Sequence, residues 1–163
     1  MFTLRCTKKL LTRLGPKVTL GEATPTTGLG DWYANLLYRP GSQVVLFVNE
    51  RSLLPVLVPA SPSGGLVLRC REATAELLLN LGVPATVVEA EAREMEEVRI
   101  GETASRRVLG SMNDFAYLMD AYRGDPLALG AIAMKLAATP CGPIGMKHPA
   151  DVAVEMLVGG SVH

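Results

Sequence analysis

The stretch "QVVLFVNERSLLPVLVPA", Gln43 to Ala60, decides the fold class of this chain. Its first half is apolar and rich in β-branched residues, which is typical of a strand. The residues "NERS" favour a turn, and the apolar residues after them form a returning strand, so the stretch predicts a β-hairpin over 43–60. Pro55 and Pro59 lack the N–H that a β-ladder needs. The returning strand should therefore have one unpaired side or end early.

Strand-like and helix-like patterns occur on both sides of this hairpin. Strands are predicted over 2–6 and 97–104, and helices over 7–14, 32–39, 66–82, 85–95, 106–123, 127–138 and 150–157. The strands and helices do not alternate strictly, as a parallel βαβ fold would require. We therefore predict an α+β fold with a small, mainly antiparallel sheet and helices packed on it. Residues 1–123 would form the α+β core domain, and residues 124–163 a helical C-terminal extension packed on the same domain.

The charge of the chain is balanced but unevenly distributed. The 163 residues include 16 basic and 16 acidic side chains, and 48% of residues are hydrophobic, which is typical of one globular domain. Residues 1–60 carry seven basic and three acidic residues. This mixture argues against a dedicated duplex-DNA binder, which usually has a strongly basic face. A small basic patch near the N-terminus comprises Arg5, Lys8, Lys9, Arg13 and Lys17. Nucleic-acid binding through this patch is the least favoured of the possible functions.

The three cysteines, Cys6, Cys70 and Cys141, lie far apart and form no C-x-x-C pair. Such a set is typical of free thiols in a reducing compartment. The apolar runs near the N-terminus are interrupted by basic residues, and no run approaches the ~20 residues of a membrane helix. We therefore expect a cytoplasmic protein without a membrane segment.

Metal and cofactor sites have little support in the sequence. Neither of the two histidines, His148 and His163, belongs to a cluster with metal-ligand spacing. An acidic run could attract a cation, but such a run is more often a solvated helix face; it consists of Glu89, Glu91, Glu94, Glu96 and Glu97. We therefore predict no metal and no cofactor.

The segment "GLGDWYANLL", Gly28 to Leu37, contains the single tryptophan of the chain. Its two glycines have two interpretations: a nest of backbone amides for phosphate, or a source of unusual backbone angles at the start of a helix. The second is favoured because the third glycine of G-x-G-x-x-G is missing. Asp31 would then cap a helix over "WYANLLYR", and Asn35, four residues on, would share its face.

The segment "LGSMNDFAYLMD", Leu109 to Asp120, has a similar composition. It lies in a predicted helix that Ser105 would cap. One side of this helix is a core stripe of Val108, Met112, Phe115 and Met119. On the opposite side, Gly110 suggests the close approach of another backbone or a ligand, and we favour a close contact with a helix or a strand.

Four motifs occur in order along the chain: "RCTKKLL", "LGDWYANLL", "NERSLLPVLVP" and "TASRRVLGSMNDFAYLM". Together they resemble a bacterial family defined only as a domain of unknown function, DUF6933. The resemblance runs from about Leu4 to about Tyr122, and the chain from Gly124 onward looks less typical of the family. It implies a small stand-alone bacterial protein and supplies no activity, substrate or catalytic residue.

Two functional hypotheses follow. The first is a non-enzymatic module that binds a protein partner or a small-molecule ligand, with a homodimer as one form of it. The alternative is a small metal-assisted hydrolase or nuclease-like enzyme that acts on phosphate esters, with Asp31 and Asp114 in one cleft. The catalytic residues are unknown. The candidate binding residues are Asp31, Trp32, Asn35, Thr103, Ser105, Arg106, Asn113 and Asp114. The sequence leaves two alternatives for Asn35, Asn113 and Asp114: they lock two helices together, or they face a pocket.

Overall fold

The fold is a five-stranded mixed sheet with helices on both faces. The structure, a computed structural model, describes residues 1–14, 18–19, 21–122 and 128–159. The strands are β1 (Phe2–Cys6), β2 (Trp32–Arg39), β3 (Ser42–Asn49), β4 (Pro55–Pro59) and β5 (Val98–Glu102). The α-helices of the described residues are α1 (Lys8–Leu14), α2 (Leu66–Asn80), α3 (Ala85–Glu94), α4 (Arg106–Asp120), α5 (Leu129–Ala137) and α6 (Pro149–Val158), with a short 3-10 helix at Gly142–Ile144.

The sheet has the order β4-β3-β2-β1-β5. The pairs β2–β3 and β3–β4 are antiparallel, whereas β1 lies parallel to both β2 and β5. The α+β class and the hairpin over 43–60 are confirmed. The hairpin aligns Val44 with Pro59 and Val48 with Pro55. Its returning strand, β4, lies at the edge of the sheet, as its prolines predict.

The predicted helix over 32–39 is wrong, because these residues form the central strand β2. On this strand Trp32 pairs with Leu4 of β1 and with Asn49 of β3, so both of its edges are bonded. Its residues alternate between two cores: Trp32 packs in one, and Tyr33 in the other. A central strand buried on both faces shows little polar alternation, and its apolar run cannot be told from a buried helix by periodicity alone.

Two hydrophobic cores lie on opposite faces of the sheet. The first core includes residues of α1, α2, α3 and α6, packed on side chains such as Leu4, Trp32 and Phe47. The second core includes residues of α4 and α5, packed on Tyr33 and Leu46. The helix α5 therefore packs on the same sheet as the N-terminal elements. The predicted domain boundary between 123 and 124 lies outside the described residues, and that division stays a prediction.

The helix α4 begins as its sequence predicts. The Ser105 hydroxyl oxygen accepts a hydrogen bond from the Val108 N–H at 3.3 Å, which is an N-cap. The predicted core stripe of this helix is buried. Gly110, in contrast, is exposed, and a Cβ built there meets no described atom within 4 Å. The expectation of a close helix or strand contact at Gly110 is therefore wrong.

No helix of the described residues is both long enough and apolar enough to cross a lipid bilayer.

Candidate functional site

The eight candidate binding residues lie in several different environments. Asp31 is buried just before β2, where its carboxylate oxygen Oδ1 accepts a hydrogen bond from the Thr3 N–H at 2.8 Å. It caps no helix. Trp32 lies fully buried in the first core, and its Nε1 has no hydrogen-bond partner among the described residues. Both side chains are parts of the interior at this end of the sheet.

Asn35 is half-buried within β2, where its Oδ1 joins two elements. It accepts hydrogen bonds from the Thr7 hydroxyl at 2.7 Å and from the Leu36 N–H at 2.9 Å. Thr7 precedes α1, so the amide of Asn35 connects the start of that helix to the sheet. The predicted helical turn between Asp31 and Asn35 is wrong, because the chain is extended here and the two residues lie about 13 Å apart along it.

The three candidates around the start of α4 lie beside one another along the chain. Ser105 caps the helix, and its N–H donates to the Tyr33 hydroxyl at 2.9 Å, which joins α4 to β2. Thr103 is half-buried between β5 and α4. Arg106 is exposed at the first position of the helix.

Asn113 and Asp114 are exposed on the outer side of α4. Asp114 lines a small cavity of about 70 Å³ with Ser111, Phe115 and Cys141. Asp31, in contrast, directs its carboxylate to the backbone of Thr3. Of the two carboxylates that the hydrolase hypothesis requires, Asp31 is thus bonded to the backbone of β1, and Asp114 lines a cavity beside α4. The described residues also contain no group of three or more His, Cys, Asp or Glu side chains able to hold a metal ion.

Glu91 of α3 is buried, with only 4% of its surface exposed. The prediction of a solvated helix face is therefore wrong for this residue. Its carboxylate accepts the N–H groups of Gly28 at 2.6 Å and Leu29 at 3.0 Å. Burial is the main influence on this carboxyl group and raises its pKa, while the two backbone hydrogen bonds act in the opposite direction. The amides of Gly28 and Leu29 are thus turned to an internal carboxylate, whereas the Gly30 N–H donates to the Thr27 C=O at 3.3 Å.

Asn49, at the end of β3, is a second buried polar group that the sequence analysis did not single out. Its Nδ2 donates to the backbone oxygens of Leu29 at 2.9 Å and Asp31 at 3.1 Å. Its Oδ1 accepts the N–H and the hydroxyl of Ser52 at 2.9 and 2.8 Å. The side chain therefore joins the hairpin turn to the segment before β2. An Asn at the end of a predicted strand was the only available signal.

The outer side of β4, at one edge of the sheet, offers few hydrogen-bond donors to another strand. Hydrogen-bonded and non-bonded residue pairs alternate along an antiparallel ladder, and the bond from the Ala60 N–H to the Gln43 C=O, at 3.0 Å, fixes which pairs are bonded. The backbone N–H and C=O groups at positions 56 and 58 therefore bond to β3. Those at positions 55, 57 and 59 point away from the sheet. Two of the outward positions are prolines, so Leu57 is the only residue of β4 with an outward N–H. An edge blunted in this way resists the addition of another strand.

A groove of about 250 Å³ lies along this blunted edge, between α2 on one face of the sheet and α5 on the other. We call it the edge groove. Its apolar lining comprises Val56, Leu57, Val58, Pro59, Ala73, Leu77, Leu129, Gly130 and Ala133. Its polar rim comprises Arg69, Glu72, Glu76 and Asn80. The rim residues are spaced three or four apart along α2, which places them on one side of that helix.

Arg69 organises the end of the edge groove. Its guanidinium donates to the backbone oxygens of Pro59 at 3.0 Å, Pro62 at 2.6 Å and Gly64 at 3.0 Å. Its Nε is buried and has no partner within the described part of the chain. The arginine thus fixes the loop after β4, while Glu72 and Glu76 stand exposed on the rim. The rim carries one basic and two acidic side chains, so its formal charge is negative.

A family model described as a domain of unknown function (DUF6933) matches residues 3–152. The chain belongs to the DUF6933 family. The match continues well beyond Tyr122, where the resemblance was expected to end, and includes α5 and the start of α6. That expectation is corrected, and the packing of α5 on β4 and the second core gives a physical reason for including it. No curated protein and no solved structure matches this DUF6933 chain.

Proposed function

We propose that this DUF6933 protein is a non-enzymatic binding module whose edge groove takes a compact, largely apolar ligand with a positively charged group. The observation that carries the proposal is the groove itself, an apolar concave surface with a few polar side chains on one rim. Binding sites for small molecules typically have this composition. At about 250 Å³ the groove suits a small metabolite or a single side chain of a partner.

The blunted edge of β4 supports a compact ligand over an extended peptide. A peptide that adds a strand needs a row of donors and acceptors along the sheet edge. Pro55 and Pro59 remove two of the three outward donors, so only the Leu57 N–H remains on this strand. Recognition in the groove would therefore depend on apolar contact and on the rim side chains.

The charge of the rim supports a cationic group on the ligand. Glu72 and Glu76 lie one turn apart on the same side of α2, and both line the groove. The charge of Arg69 is directed to three backbone oxygens of the neighbouring loop. An ammonium group would find two carboxylates at one end of an otherwise apolar surface.

The state of the cysteines supports binding rather than nucleophilic catalysis. Burial raises the pKa of the Cys6 and Cys70 thiols to about 12, so both stay protonated at neutral pH. Burial also raises the pKa of Cys141, which is half-buried. A catalytic cysteine needs a thiolate, and its pKa is normally lowered.

The experiment compares benzylamine, benzyl alcohol and benzoate, which share a ring and differ in charge. Binding is measured by two-dimensional NMR titration of the folded protein. We expect benzylamine to bind with a dissociation constant of roughly 1 mM, from about 0.5 kcal/mol for each of its roughly eight heavy atoms. The amide shifts should centre on residues 56–58, 73–77 and 130–133. Benzoate should bind more weakly than the neutral alcohol.

Two helical glycines provide a matched pair of variants. A side chain at Gly130 would enter the edge groove, whereas Gly110 lies exposed on α4, outside it. Both positions have open space around an added Cβ. We expect Gly130→Trp to abolish benzylamine binding and Gly110→Trp to leave it unchanged. Equal binding by both variants, or no preference for the amine over benzoate, would contradict the proposal.

The rim carboxylates are tested separately from the shape of the groove. Glu76→Gln should weaken benzylamine binding by about two- to fivefold, which is the usual strength of an exposed ion pair. Glu89→Gln, on the exposed face of α3, is the matched control and should have no effect. If Glu76→Gln leaves the affinity unchanged, the cationic part of the proposal is wrong even when the groove binds.

A further inference from the structure

A second groove, on another side of the molecule, has a different chemistry. It lies between α1, the end of β2 and α4, and encloses about 350 Å³. Leu37, Ala116 and Met119 form its apolar part. Tyr38 and Tyr117 line it and are 62% and 79% exposed. We call it the tyrosine groove. Two large aromatic side chains are thus exposed to solvent in this groove. Tyrosine is enriched at the surfaces with which proteins bind other molecules, so the groove is a candidate binding surface.

Basic side chains accompany these aromatic rings. The Lys9 ammonium lies 5.0 Å from the centre of the Tyr38 ring, and Arg39 lines the same groove. Asp120 is the one acidic residue among the lining residues that the structure describes, so the formal charge of the groove is +1. Lys8 and Arg13, also on α1, are exposed as well. The sequence contains no acidic residue before position 22, so α1 presents only positive charge beside the groove.

We propose that the tyrosine groove binds a nucleoside phosphate unit, with the planar base against Tyr117 and Tyr38 and the phosphate beside Lys9 and Arg39. Bases of any sequence can stack on exposed aromatic rings. Lysine and arginine are the usual partners of a phosphate group. A net charge of +1 suits one phosphate better than a long polyanion. This agrees with the balanced overall charge of the chain, which argues against a duplex-DNA binder.

The proposal concerns a site and a ligand charge that differ from those of the edge groove. Failure of one proposal therefore leaves the other intact. The same unit has two sources, a free nucleotide or a single-stranded nucleic acid. The test includes both, with adenosine monophosphate and a ten-nucleotide deoxythymidine strand as probes. Adenosine and ribose 5-phosphate serve as probes that carry only the base or only the phosphate.

Binding is measured by NMR titration and calorimetry at low ionic strength. We expect adenosine monophosphate to bind more tightly than adenosine and ribose 5-phosphate, with shifts at residues 37–40 and 116–120. Tyr117→Ala should weaken binding at least fivefold, as expected when a stacking ring is removed, and Tyr117→Phe should preserve it. Because Tyr117 is largely exposed, neither change should prevent folding.

The contribution of charge has its own matched control. Lys9→Gln should weaken binding of adenosine monophosphate by about two- to fivefold and reduce its dependence on salt. Lys135 lies 5.1 Å from the ring of Tyr122, away from the lining of this groove, so Lys135→Gln should change neither.

Much tighter binding of the strand than of the mononucleotide would support the site and assign it to single-stranded nucleic acid. Comparable affinities would assign it to free nucleotides. The proposal is overturned if neither probe binds, if Tyr117→Ala has no effect, or if adenosine binds as tightly as adenosine monophosphate.

Discussion

The contact between Glu91 and the amides of Gly28 and Leu29 gives the sharpest stability prediction. Leu29 is fully buried, so its N–H has no access to water when the carboxylate is removed. An unsatisfied buried donor costs about 1–3 kcal/mol. Gly28 is exposed, so its N–H can bond to water once the Glu91 carboxylate is removed. Loss of this second hydrogen bond therefore costs only about 0.5–1.5 kcal/mol. Glu91→Ala should therefore lower the free energy of unfolding by about 2–4 kcal/mol.

The conservative variant has a smaller expected effect. Glu91→Gln retains one carbonyl oxygen, which can accept the Leu29 N–H, and turns its amide group to the Gly28 side. It should cost about 1 kcal/mol, because the lost hydrogen bond lies where water can replace it. Glu89→Ala, on the exposed face of the same helix, is the control and should change stability by less than about 0.5 kcal/mol.

The measurement is urea unfolding at pH 7, checked with two probes for a two-state transition. For a chain of this length a loss of 2–4 kcal/mol corresponds to a decrease in Tm of roughly 4–16 °C. Hydrogen exchange provides a local readout, since the Leu29 amide should exchange faster in Glu91→Ala. If Glu91→Ala is no less stable than Glu89→Ala, the hydrogen bonds of Glu91 do not stabilise the fold as inferred.

The same contact predicts a pH dependence with a definite sign. Burial raises the pKa of Glu91 above its ordinary 4.5, so the folded protein binds this proton more readily than the unfolded chain. The contribution of Glu91 to stability therefore falls as pH rises from 4.5 through its raised pKa. The stability advantage of the wild type over Glu91→Gln should be largest below pH 4.5. An advantage that grows with rising pH would show that the pKa of Glu91 is lowered.

Three further predictions concern other parts of the fold. Asn49→Ala removes hydrogen bonds that join the hairpin turn to the segment before β2, and it should cost about 2–4 kcal/mol in chemical denaturation. Gly30 has a φ of +82°, so Gly30→Ala should destabilise the protein by about 1–2 kcal/mol. Gly110 lies in a helix with open space around an added Cβ, so Gly110→Ala should stabilise the protein by about 0.5–1 kcal/mol. Thermal melts in which Gly30→Ala is the more stable variant would refute this. Leu68 and Leu79 are 46% and 49% exposed and lie eleven residues apart on one side of α2. If the predicted homodimer uses this face, replacing both leucines with Glu should give a protein that is monomeric by light scattering. A wild-type protein that is itself monomeric would refute the dimer.

Local patterns in the sequence predict the elements whose signals are contained in a few consecutive residues. Ser105 starts α4 because its hydroxyl caps the first turn, and that signal lies within four residues. The hairpin of β3 and β4 is readable because turn residues separate two apolar runs. The prolines of β4 even predict its place at the sheet edge, since a strand without ladder donors cannot pair on both sides.

Only the tertiary structure decides the features that depend on residues far apart in the chain. "WYANLLYR" becomes a strand because β1 and β3 bond to both of its edges, and nothing within the eight residues specifies those partners. Glu91 is buried because a loop more than sixty residues away turns two N–H groups towards it. The two grooves likewise form between elements that are distant in sequence. The sequence by itself determined the hairpin, most of the helices and the α+β class, because helix caps, turn residues and hydrophobic periodicity are local signals. Tertiary packing decided the central strand, the buried acid and both candidate binding surfaces, because burial depends on which distant segments meet.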